Sequence, residues 1–337
     1  MHRRAADRVV VVTGASSGVG RACAQAFGAR RHRVALLARN RESLRAAAAE
    51  IEAVGGEALV CPVDMADAEA VEAAAAAVEA RWDRIDLWLN NAMATVFAPI
   101  TETTAEEFRR VTEVTYLGYV HGTQAALRRM LPADHGTIVQ VGSALAYRSI
   151  PLQAAYCAAK AAARAFTDSL RTELIHEGSR VRVSQVHLPA VNTPQSLRQR
   201  NKMPLRQRPV PPMFSPHLIA EAVAAAADRA PREILLGAPA WRAVIGQRVF
   251  PGLLDLFAAR AAWEAQFVDQ PNEQTDDILF KTVPGDAGAR GPYRDAEQNR
   301  DPLLFFQMHF RGRFAQVSRA AERLVRRRPA APDRPAP

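Results

Sequence analysis

At 337 residues the chain is too long for one small module and about right for one large α/β domain with an appendage. Hydrophobic residues make up 48% and charged residues 23%, with 22 prolines and 18 glycines, which excludes wholesale disorder, collagen and a disulfide-stapled miniprotein. A net charge of +9 would suit a nucleic-acid partner, yet only Lys160, Lys202 and Lys281 of the 44 basic residues are lysines. So lopsided a use of arginine, beside abundant alanine, reads as GC-rich codon usage rather than a designed basic surface.

Taken in chain order, strand-like runs fall at 9–13, 33–38, 57–62, 85–90, 136–143, 181–188 and 233–236. Most are short and continuously apolar, as strands buried on both faces are. Alanine-rich helical stretches separate them at 19–30, 42–54, 68–81, 105–131, 153–176 and 216–230. Such alternation predicts an α/β fold, doubly wound, with a mostly parallel sheet and right-handed crossovers. The expected organisation is one α/β domain over 1–236, a helical and irregular extension over 237–325, and a disordered basic tail over 326–337.

Cys23, Cys61 and Cys157 stand too far apart for a disulfide framework or a zinc knuckle, so a reducing, cytoplasmic setting is expected. No apolar run reaches the ~18 residues a spanning helix needs. The short stretch before the first valine run carries no cleavage-type segment, so no signal peptide is expected. The histidines show no i, i+4 pairing, and no metal site is predicted.

Val9 to Gly20 reads as a strand, a tight turn and a helix start. Gly14 permits the sharp turn, Gly18 lets backbone approach a pyrophosphate, and Gly20 lets the helix pack close to the sheet. Free N–H groups at the helix start would face the phosphates, which makes Gly14, Ser16, Ser17, Gly18, Val19 and Gly20 the expected cradle. An acidic residue roughly 20 positions further on would select NAD. Here Ala38 is followed by Arg39, Asn40 and Arg41. With no carboxylate to repel a 2′-phosphate and a guanidinium to accept it, NADP(H) is expected over NAD(H), with Arg39 and Ser16 at the phosphate. Asp64, next to Met65, follows the third strand where it would meet the adenine ring; its plainer role is to cap the next helix.

Tyr156 and Lys160 lie one turn apart on one face of a predicted helix. A free phenol has a pKa of about 10, and a neighbouring ammonium favours the phenolate, bringing the group towards working pH. A lysine in so arginine-rich a chain points to a specific duty. Ser143 ends the fifth strand, where ligands bind in open parallel sheets, and its hydroxyl can donate to a developing alkoxide.

Thr13-Gly14-Ala15-Ser16-Ser17-Gly18-Val19-Gly20, Asn90-Asn91-Ala92, Ser143 and Tyr156-x-x-x-Lys160 together resemble the short-chain dehydrogenase/reductase family over about residues 8 to 236. The resemblance implies a seven-stranded Rossmann sheet and hydride transfer between a nicotinamide and a carbonyl or alcohol. It implies Tyr156 as acid/base, Lys160 as pKa modulator and ribose anchor, and Ser143 as substrate orienter. Asn91 and Ala92 would border the cofactor, with Pro189, Val191 and Thr193 at the nicotinamide carboxamide. A homodimer or homotetramer paired through 105–131 and 153–176 is implied as well. Two positions depart from the family pattern. Met93 stands where a glycine is usual, and Thr115 replaces the asparagine that helps hold a water in the proton relay.

Past residue 237, apolar residues from Trp241 to Trp263 recur at helical spacing, interrupted by Pro251 and flanked by Arg242, Arg248 and Arg260. They are read first as packing on the main domain or a neighbouring subunit, and second as a membrane-surface contact or a greasy substrate entrance. The proline-containing stretch 192–215, with five basic residues from Arg198 to Arg208, reads as a solvated lid over the substrate. The leading expectation is an NADP(H)-dependent enzyme acting on a small-molecule carbonyl or alcohol. A non-catalytic NADP-binding scaffold is the alternative. A nucleic-acid binder is set aside, since no aromatic stacking set or recognition helix accompanies the arginines.

Overall fold

A computed structural model describes residues 8–309; the expected tail at 326–337 lies outside them. Seven strands, β1 (Val9–Thr13), β2 (Arg33–Ala38), β3 (Glu57–Pro62), β4 (Leu87–Asn90), β5 (Thr137–Ser143), β6 (Arg182–Leu188) and β7 (Glu233–Leu235), form one sheet in the order β7-β6-β5-β4-β1-β2-β3. Every neighbouring pair is parallel. The period of two sends alternate side chains of β1 to opposite faces. Val10 and Val12 join Phe27, Leu36, Ile51, Ile219 and Val223 beneath helices α1 (Gly18–Gly28), α2 (Arg41–Ala53) and α7 (Pro216–Arg229). Val9 and Val11 join Leu37, Val71, Val78, Trp88 and Leu170 beneath α3 (Ala68–Trp82), α5 (Gly118–Met130) and α6 (Ala154–His176). The strand order reverses between β1 and β4, so a crevice opens at their carboxyl ends, where this architecture binds ligands.

The single helix expected over 105–131 is broken. An α-helix, α4 (Ala105–Thr112), passes through a widened π turn at Glu113–Leu117 before α5 begins. Within that turn the buried Thr115 hydroxyl accepts from Ala94 N–H at 2.9 Å and donates to Ala94 O at 2.9 Å. Such local bulges concentrate at functional sites. The start of α4 is fixed by a capping box, Thr104 with Glu107, worth about 1 kcal/mol.

The stretch 192–215 does border the crevice, through Gln199, Gln207 and Pro211 among others, but it is tied into the fold rather than a free solvated lid. Its short strands pair with Val96–Phe97, with Phe267–Pro271 and with Glu297–Gln298, stitching it to the extension. Its basic residues are engaged inside the protein. Arg200 and Lys202 share the buried carboxylate of Glu107, Arg200 also takes Asp277, and Arg198 and Arg208 bond the carbonyls of Pro284 and Ala265. Phosphates have no prior claim on them. Beyond β7 the chain enters α8 (Gly237–Val249) and, after Phe250, α9 (Pro251–Phe257), a π turn at Ala258–Ala262, and finally α10 (Pro302–His309). Among the described residues no helix is long and apolar enough to cross a membrane.

Candidate functional site

The crevice is a cleft of about 720 Å³ running from the glycine turn to the extension. Its nucleotide end is shaped by backbone. Gly14 has φ +67°, and a Cβ there would sit 2.8 Å from Ala92 Cα; one on Gly20 would fall on the Gly14 carbonyl oxygen. The turn therefore tolerates no side chain at either position. Thr13 locks β1 to β4, its hydroxyl accepting from Asn91 N–H at 2.9 Å and Ala92 N–H at 3.1 Å, while the Asn91 amide donates to Thr13 O at 3.0 Å. Ser16, Ser17, Gly18, Val19, Arg39, Asp64, Met65, Met93, Pro189, Val191 and Thr193 all line the same cleft.

Asp64 meets the side chain of Arg110 and accepts from Ala66 N–H at 3.0 Å. Against the cost of burial, these contacts hold its carboxyl below the usual range. It does not cap α3; Asp67 does, accepting from Ala70 N–H at 2.9 Å.

A strap that no sequence feature announces lies over this end of the cleft. Residues 277–291 cross it, joined to the nucleotide turn by hydrogen bonds. Arg39 donates to the carbonyls of Ile278 and Leu279, Asn40 to Val283 O at 2.9 Å, and Gly18 N–H to Gly288 O at 3.1 Å. Arg21 pairs with Glu50 at 2.7 Å and with Asp286, and Gly291 N–H donates to Asn192 O at 3.0 Å. Ile278, Thr282 and Val283 thereby become part of the cleft wall.

At the reactive end, Ser143, Tyr156 and Lys160 come together. The Ser143 hydroxyl accepts from Leu145 N–H at 3.1 Å and meets the Tyr156 phenol. Lys160 is buried, its Nζ 5.8 Å from the Tyr156 ring centroid, and it donates to Val141 O at 2.8 Å. Burial dominates both groups. It pushes the phenol well above its ordinary pKa, with Ser143 opposing, and lowers the lysine to about 7. The expected depression of the phenol by its cationic neighbour is not found: burial raises the phenol, and the one opposing contact is Ser143.

Thr115 does not reach the lysine, since its hydroxyl is committed to Ala94. The group behind Lys160 is Tyr119, four residues on, whose hydroxyl accepts from Nζ at 2.7 Å and donates to Val141 O at 2.8 Å. Its i+4 spacing from Thr115 was the available signal, since it puts both on one helix face.

The family model for short chain dehydrogenases matches residues 8–204. Among similar proteins, "Uncharacterized oxidoreductase YxnA" of Bacillus subtilis is 29% identical over 81% of this chain and 78% of its own length. "Dehydrogenase/reductase SDR family member 7B" of Bos taurus is 31% identical over 77% of this chain and 82% of its own. Among solved structures, an alcohol dehydrogenase from Thermococcus sibiricus complexed with 5-hydroxy-NADP is 30% identical, with a TM-score of 0.59 over 68% of this chain and 96% of that one. A metagenomic short-chain oxidoreductase in complex with NADP is 31% identical, with a TM-score of 0.58 over 68% and 95%.

Proposed function

The chain belongs to the short-chain dehydrogenase family of oxidoreductases, and from that premise we propose that it transfers hydride between NADP(H) and a carbonyl or secondary alcohol, with Tyr156 as general acid/base. The observation that carries the reading is the Ser143–Tyr156 contact, at the far end of the cleft that begins at the glycine turn. The glycine cradle suits a dinucleotide, with Gly14, Ser16, Ser17, Gly18, Val19, Gly20, Asn91 and Ala92 along its path; Gly18 N–H and Arg39, which bond the strap at Gly288, Ile278 and Leu279, would exchange those carbonyls for phosphate oxygens on binding. Asp64 and Met65 would border the adenine, and Pro189, Val191 and Thr193 the carboxamide. When bound, the nicotinamide supplies or accepts the hydride.

The chain's own residues handle the proton and the charge. Ser143 and the Tyr156 hydroxyl stabilise the oxygen of the reacting carbon, and Tyr156 gives up or takes the proton there. Lys160 stands behind the phenol as its proton partner and as the anchor for a ribose hydroxyl. Thr115 holds Ala94 and so the Met93 turn, while Tyr119 orients the lysine. Tyr119→Phe is expected to lower turnover about tenfold, since a hydrogen bond to a charged group contributes about 1.5–3 kcal/mol. KM for the cofactor should stay unchanged and the pH profile should move. An unmoved profile would give Tyr119 a packing role only.

NADP preference rests on Arg39 and on the absence of an acidic residue after β2. Arg39→Leu is expected to weaken NADPH binding by about ten- to a hundredfold, the size of one lost charge-assisted contact. NADH binding should change little; equal loss for both would mean that Arg39 serves the strap alone. A homodimer or homotetramer paired through α4–α5 and α6, and a cytoplasmic setting, accompany this reading. The direct test is a panel of carbonyls and alcohols followed at the nicotinamide absorbance with both cofactors. The scaffold alternative predicts cofactor binding with no turnover on any of them.

A further inference from the structure

The α8–α9 hairpin satisfies its own inner face and leaves its outer one bare. Ala240 and Val244 pack on Ala144 and Leu235, and Gly246 backs onto Leu254, where an added Cβ would lie 3.1 Å from Leu254 Cδ1. Outside, Phe250 is 60% exposed, Leu253 65%, Leu256 70% and Phe257 61%, so packing on the main domain does not account for them. Monomeric surfaces seldom gather so many large apolar side chains in one place without a partner.

The charges alongside are equally unspent. Arg242, Arg248 and Arg260 have no carboxylate partner among the described residues, whereas Arg148, Arg200 and Arg21 are all paired. Asp255, the one acid within the hairpin, is taken by Arg148 at 2.7 Å. The hairpin also walls the reactive end of the cleft. Phe257 and Arg242 are exposed to solvent and line the cleft at once, beside Ala243, Leu254 and Ala262.

We propose that this hairpin docks on the surface of an anionic lipid bilayer, and that the substrate is an apolar carbonyl or alcohol passed from the bilayer into the cleft. The second half rests on the oxidoreductase reading above; the docking does not. Apolar side chains rimmed by free arginines match the acyl boundary and the headgroup phosphates of a lipid surface. A second copy fits less well, because a two-fold contact on this face would gather two sets of three unpaired arginines into one interface. Lying on the surface rather than spanning it also suits two short helices.

The test is co-sedimentation of the full-length protein with phosphatidylcholine vesicles, with and without phosphatidylglycerol, at low salt. Pelleting with the anionic vesicles is expected, unchanged in Tyr156→Phe and lost in a Phe250→Asp, Leu253→Asp double variant that keeps the wild-type melting profile. No pelleting of the wild type, or equal pelleting of the double variant, overturns the proposal. So does a double variant that falls from dimer to monomer in light scattering, which would assign the face to a second copy. For the substrate, the double variant should raise KM about tenfold for a long-chain ketone presented in vesicles and leave a short soluble ketone unaffected. Equal KM changes for both overturn the delivery step. An active reductase that never pellets separates failure here from failure of the oxidoreductase reading.

Discussion

Tyr156→Phe is expected to lower turnover by about 10²–10⁴-fold, the usual contribution of a positioned acid/base, while dinucleotide affinity stays within about twofold. The substitution removes one oxygen and keeps the ring, so the cleft wall holds its shape. Ser143 keeps its bond from Leu145 N–H and loses only the phenol. Since burial holds the phenol protonated at neutral pH, Tyr156 enters carbonyl reduction already carrying its proton. Reduction accordingly needs no ionisation of the phenol, and any fall above neutral pH would follow Lys160, whereas oxidation, which needs the phenolate, should rise with pH. Stopped-flow traces at the nicotinamide absorbance in both directions check this. A phenylalanine variant retaining more than about a tenth of the turnover would mean that the carbonyl proton comes from elsewhere.

The parts of this site that were legible in the sequence are those encoded locally. The glycine turn, Ser143 at a strand end, and Tyr156 with Lys160 one helical turn apart each follow from short-range geometry, and the seven strands lie within two residues of their expected bounds. Arg39 was legible as a residue but not in its contacts. Its partners are the carbonyls of Ile278 and Leu279, far along the chain. Any residue type offers a carbonyl, so a strap built of backbone acceptors leaves no trace in side-chain chemistry. The π turn was hidden for a related reason. Helix propensity and apolar spacing describe the average helix, whereas this widening is tied to one inward threonine and its backbone partner Ala94.

The lysine's environment also differs from what spacing alone suggests, and that difference fixes the sign of a second large effect. Lys160 titrates near 7 in the folded protein because burial disfavours its charge, against about 10.5 when exposed. Between those values the unfolded chain binds more protons than the folded one, so stability attributable to this residue rises with pH. Below about 7 both states are protonated, and the full cost of the buried ammonium is present. In Lys160→Met the apolar stem stays and the ionisable group goes. Its melting temperature should equal or exceed that of the wild type near pH 6, and the difference should shrink steadily towards pH 10. Parallel melting curves would mean that the amine finds enough support from Tyr119 and Val141 to stay charged without cost. Turnover of the same variant should fall by about 10²-fold or more, since Tyr156 would lose its proton partner while Ser143 and the glycine turn remain in place. Loss of activity together with an altered stability slope is a signature that packing damage alone does not produce. Methionine removes the charge and both hydrogen bonds while nearly preserving volume.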